Sequence, residues 1–158
     1  MTPQMSRAYR DALGKRAVAC PHWRWMAGMK VVTTDPSLVA VLQLLRQGLE
    51  EDTPDGARVV SNRGGCVTVA WPTGAGDAEG GTLLSDDIPD LSDPATLGCL
   101  LALVRAGSPL AYAEHRMGTW TVYEPSYDPR VFNAPCVRSL GSGHTEAEAL
   151  VAALEGAP

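Results

Sequence analysis

The sequence predicts an α+β fold, an antiparallel sheet with helices packed on it, in a single domain spanning residues 1–158. Three observations carry this. The composition is that of a globular chain: 158 residues, 45 % hydrophobic and 20 % charged, enough to bury a core. Several stretches carry apolar residues at helical spacing behind a capping residue, and between them lie short alternating runs bounded by glycine turns. In the tail half, Asp93 to Glu155, the order reads helix, β, β, β, helix. Two amphipathic helices beside three short strands are most compactly buried on one face of an antiparallel sheet.

The chain is organised around Asp87 to Arg105, DIPDLSDPATLGCLLALVR. Asp93 is placed to accept from the first free backbone N–H groups, and Pro94 sits where a missing N–H costs nothing. Leu97, Leu100, Leu101 and Val104 form the predicted stripe, and Gly107 supplies the stop. So apolar a helix is expected to be buried.

Taken in order, Thr2-Pro3 is expected to open a first helix with Met5, Tyr9, Ala12 or Leu13, and Ala17 inward, ended by Cys20-Pro21. Trp23 to Val32 alternates, with Trp23, Trp25, Ala27, Met29 and Val31 on one face, and predicts a strand with a bulge at Gly28. Asp35-Pro36 starts a second helix through Leu38, Leu42, Leu45 and Leu49. Ala57 to Ser61 and Cys66 to Trp71 predict a hairpin around Asn62-Arg63-Gly64-Gly65. Pro72 to Gly81 reads as a loop, and Thr82 to Leu84 as a short strand. Leu110 to His115, Gly118 to Glu124 and Pro135 to Leu140 are the three later strands, with a turn at Arg116-Met117 and a loop from Tyr123 to Pro135. Thr145 with Glu148 forms a capping box before Ala147, Leu150, Val151 and Leu154.

Charge and composition narrow the function classes. A net charge of −5 argues against a general nucleic-acid or anionic-membrane surface. No apolar run approaches the ~18 residues of a membrane span, and Met1 to Lys15 lacks the apolar core of a signal peptide. The expected location is therefore the cytoplasm, the host's cytoplasm if the gene is a phage's. Four cysteines, Cys20, Cys66, Cys99 and Cys136, are single and scattered, and read as free thiols.

Candidate chemistry is sparse. Cys20-Pro21-His22 is the nearest approach to a metal pair, but structural zinc needs about four convergent ligands. No cysteine carries a nucleophile signature, and the acids at Asp86, Asp87, Asp90 and Asp93 read as a turn with a cap. The glycines lack the context of a phosphate loop. The sequence therefore predicts no enzyme, no metal site and no cofactor. His22, Trp23, Arg24 and Trp25, with Arg63 and Trp71, combine the residue types enriched at protein–protein hot spots, and are the predicted partner surface.

Three motifs, HWRWMAGMKV, IPDLSDPATLGCLLALVR and GHTEAEALVAALE, resemble a group of short phage and prophage proteins. They cover about a quarter of the chain. The resemblance implies a small α/β sandwich and a phage-linked origin, with no particular activity. This chain differs by extra sequence near 35–81 and 123–135. The tail half is also similar in element order to double-stranded-RNA-binding domains. Those carry Lys at the start of the last helix, where this chain has His144-Thr145-Glu146-Ala147-Glu148.

The expected function is that of a non-enzymatic phage-type accessory protein. It would bind a host or phage protein and inhibit a host defence complex in the manner of an anti-CRISPR protein. The alternative is a nucleic-acid-binding module using Arg58, Arg63, Arg116, Arg130 and Arg138.

Overall fold

The computed structural model describes residues 6–33, 57–72, 78–83, 85–126 and 136–157. The fold is α+β, with antiparallel sheets and helices packed on them. The described elements are α1 (Arg7–Ala19), β1 (Lys30–Val32), β2 (Ala57–Arg63), β3 (Cys66–Pro72), β4 (Ala78–Thr82), β5 (Ile88–Pro89), α2 (Pro94–Gly107), β6 (Tyr112–Arg116), β7 (Thr119–Ser126), β8 (Cys136–Gly143) and α3 (Glu146–Glu155). They fall into two compact units, Met1–Arg24 with Leu97–Pro158, and Trp25–Thr96.

In the Trp25–Thr96 unit the sheet order is β4-β3-β2-β1-β5, and its pairs are antiparallel. Ala57, Val59, Val67 and Val69 alternate inward from the β2–β3 hairpin. Gly64 and Gly65 make its two-residue turn at φ +60° and +89°, which glycine adopts without a Cβ penalty. A bulge lies between Val59 and Ser61, and Val60 there is exposed.

In the other unit β6, β7 and β8 form a three-stranded antiparallel sheet, and α3 lies across it. The helix covers the face bearing Ala113, Val122 and Gly141, neighbours across the three strands. Its predicted stripe of Ala147, Leu150, Val151 and Leu154 is buried, as are Ala149 and Ala153. The approach is close because β8 presents glycine: a Cβ at Gly141 would overlap the backbone nitrogen of Ala153 and lie 2.6 Å from the Ala149 carbonyl oxygen. α1 packs in turn on α3, burying Leu13, Gly14 and Ala17. Tyr9 donates its hydroxyl to Glu148 at 2.9 Å, and Arg16 binds Glu155 through two nitrogens at 3.0 and 2.7 Å. The opposite face of the sheet carries Tyr112, Glu114 and Arg116 on β6, with Thr119, Thr121 and Tyr123 opposite them on β7.

Several expectations are corrected. The one sheet expected is two: the β2–β3 hairpin and Lys30–Val32 belong to a sheet formed by β1 to β5, and β6 to β8 form a second. Trp23 to Met29 is not a strand. Met29 N–H bonds back to the Met26 carbonyl at 3.2 Å, and Gly28 has φ +95°, so a turn interrupts the alternation and only Lys30–Val32 pairs as a strand. Ala78 to Gly81, read as loop, pairs with β3 as β4, and the short strand ends at Thr82. β7 continues through Pro125 and Ser126. In α2 the buried apolar residues are Leu100, Leu103 and Val104, whereas Leu97 and Leu101 are half-buried. α1 is capped by Ser6, whose side chain accepts from Tyr9 N–H. The helix expected from Asp35 and the cap expected at Thr2 lie outside the described residues.

Candidate functional site

Three places concentrate polar or apolar chemistry. The first is the start of α2. Asp93 accepts from the Thr96 N–H at 2.9 Å, which is the predicted cap, and from the Thr96 hydroxyl at 2.9 Å. Arg58 of β2 grips both carboxylate oxygens of Asp93, at 3.1 and 2.8 Å, and also donates to the Gly28 carbonyl at 2.9 Å. The buried Thr96 hydroxyl oxygen in turn accepts from Lys30 N–H. The Lys30 ammonium lies 3.1 Å from Asp90, whose carboxylate also accepts from the Ser92 N–H and hydroxyl at 3.0 and 2.5 Å.

These contacts set the protonation states. The Arg58 guanidinium, with the Thr96 donors, holds the Asp93 carboxyl down to about 2 against a modest burial penalty. Burial pushes Asp90 up, but the Ser92 donors and the Lys30 ammonium outweigh it and leave the carboxyl below its ordinary value. Both groups are fixed anions. A carboxylate held ionised cannot serve as a general acid near neutral pH, so the cluster reads as a clamp tying Asp90 to Thr96, up to the first turn of α2, to β1 and β2. Glu146 is pushed the other way, upwards, by burial alone at the first turn of α3.

The second place is the predicted partner surface. His22 and Arg24 are exposed and Trp23 is half-buried, all in the segment after α1. Trp25 belongs to the other unit, where it is 8 % exposed and its carbonyl accepts from the Asn62 side chain at 3.0 Å. A ring so buried offers a partner little area. Arg63 is exposed at the end of β2, and Trp71 sits on β3 opposite Glu79. Cys20 is buried, its thiol donates to the Arg16 carbonyl at 3.4 Å, and burial pushes it up. It is therefore a packed thiol beside an exposed histidine. Among the described residues no three His, Cys, Asp or Glu side chains converge as metal ligands.

The third place is the tip of the β6–β7 hairpin. Arg116 and Thr119 close the ladder, leaving Met117 and Gly118 as a two-residue turn at φ 51° and 81°. Among the described residues Met117 has the only non-glycine backbone with positive φ, and its side chain is fully exposed. Both central positions of such a turn favour Gly, Asn or Asp, so methionine there is strained. Below it the His115 and Trp120 rings pack 5.4 Å apart, and Arg116 bonds Glu114 at 2.8 Å. The predicted turn at Arg116-Met117 was one residue out of place. Met117-Gly118 between two β-rich runs was the signal that could have found this tip.

No family model matches the chain, and neither a curated protein nor a solved structure matches it. Among the described residues no helix is long and apolar enough to cross a membrane.

Proposed function

We propose that this is a non-enzymatic protein that acts by occupying a surface of another protein. The observation that supports this best is Met117, a flexible apolar side chain fully exposed on a strained two-residue turn. Strain costs stability, and a residue that a better turn former could replace points to a use outside the fold. Methionine adapts its shape to an apolar pocket, which suits a knob entering a partner. His22, Trp23 and Arg24 remain a second set of hot-spot residue types, Arg63 and Trp71 belong to the other unit, and Trp25 contributes to the core. The resemblance to phage proteins makes a host defence complex the first class of partner to try.

Two observations count against nucleic acid as the partner. Arg58 is held by Asp93 and Arg116 by Glu114, so two of the five candidate arginines already face a carboxylate. Glu146 and Glu148 occupy the first turn of α3, where a phosphate would otherwise be drawn. The test is capture from host lysate by the immobilised protein, run beside Met117→Asn. Retention of one defined protein by wild type and its loss from the variant supports the reading. Retention of nothing specific, or equal retention by both, contradicts it.

A further inference from the structure

We infer that the open face of the β6–β7–β8 sheet takes a second copy of this chain, in a weak twofold dimer. The inference does not draw on the Met117 reading. α3 covers the Ala113–Val122–Gly141 face, so the face bearing Tyr112 and Tyr123 points away from that helix. One end of it is apolar. The Tyr112 and Tyr123 rings pack 5.7 Å apart, and the next pair along is Pro125 with Val137. Tyr112 is 36 % exposed and Val137 47 %.

The charges name the occupant. A chain of net charge −5 repels its own copies through most of its surface. Here Glu114 and Arg116 cancel each other, and they are the charged residues that the described register places on this face. A basic or acidic partner gains nothing from such a face. An identical one does: across a twofold axis the acid of each copy meets the base of the other, since isologous contacts are reciprocal. Both side chains retain solvent exposure, Arg116 most of all, so they can re-pair.

Size sets the strength. Three strands about 4.8 Å apart, with about seven residues of about 3.3 Å each, present on the order of 300 Å2 per copy. A standard interface needs about 800 Å2 per partner. The dimer is therefore transient, with dissociation expected between about 10 µM and about 1 mM.

The experiment is sedimentation of the full chain across that concentration range, with circular dichroism confirming that each variant is folded. Wild type should show an average mass rising towards twice the monomer's, and Val137→Arg should stay monomeric. Glu114→Arg and Arg116→Glu should each lose association alone and regain it when mixed in equal amounts, because each carries the charges the other lacks. Met117→Asn should dimerise like wild type. A wild-type chain that stays monomeric at about 1 mM, a mass that climbs past the dimer, or a mixture no more associated than its components overturns the inference.

Discussion

Each unit holds a helical segment in its own way. In the Trp25–Thr96 unit the hold on the first turn of α2 is electrostatic: Arg58 and Lys30 from adjacent strands reach Asp93 and Asp90, and Thr96 ties that turn to the backbone of β1. At α3 the seat is steric: Gly141 and Gly143 remove the side chains of β8 and let the helix backbone rest on the strand. The first depends on charge state and so on pH. The second depends on volume and tolerates neither added atoms nor repositioning. Close packing of backbones leaves no slack, whereas a solvated ion pair gives way gradually.

The steric seat should break hardest. Gly141→Ala places a Cβ against the backbone of Ala149 and Ala153, where no side-chain rotation relieves it. We expect a loss at or above the upper end of the about 1–3 kcal/mol of overpacked sites, read as a large fall in melting temperature. At the electrostatic seat, Asp93→Ala removes the helix cap and leaves Arg58 without its carboxylate, at a cost of about 2 kcal/mol in denaturant unfolding.

The same seat gives the pH dependence. The folded Asp93 carboxyl titrates at about 2, below its ordinary 3.8, so its contribution is complete above the ordinary value and is lost as pH falls towards the folded one. Wild type should lose stability between about pH 4 and pH 2 more steeply than Asp93→Asn, by on the order of 1–2 kcal/mol once solvent screening on the Arg58 side is allowed for. A smaller effect belongs to Glu148. Its side chain accepts from His144 N–H at 2.7 Å and from Tyr9, so Glu148→Gln should cost about 1 kcal/mol. The smallest change is of opposite sign. Met117→Asn should raise stability by about 0.5–1 kcal/mol by fitting the left-handed turn.

Elements with their own start and stop signals were legible in the sequence. The caps at Asp93 and Thr145 formed where the residues placed them, and the glycine turn at Gly64-Gly65 joined the strands expected of it. What could not be read was long-range. Alternation from Trp23 to Val32 describes a strand and an irregular segment equally well, and only the Met26–Met29 turn separates them. That the five earlier strands make their own sheet depends on pairings such as Val31 with Pro89, which no local pattern encodes. The clamp is the same case: Arg58 and Asp93 are 35 positions apart, and nothing near either names the other. At the candidate surface, residue type pointed to Trp25, yet burial removes it. Met117 carried no compositional signal beyond preceding a glycine.

If Met117 serves a partner and not the fold, its loss should cost binding without costing stability. The direct measurement is a calorimetric titration of wild type and Met117→Asn against the protein captured from host lysate, with both melting temperatures recorded. Binding should be at least about tenfold weaker for the variant, the scale of a hot-spot side chain, with a melting temperature equal to or above wild type. Equal affinity in the two proteins would contradict this role.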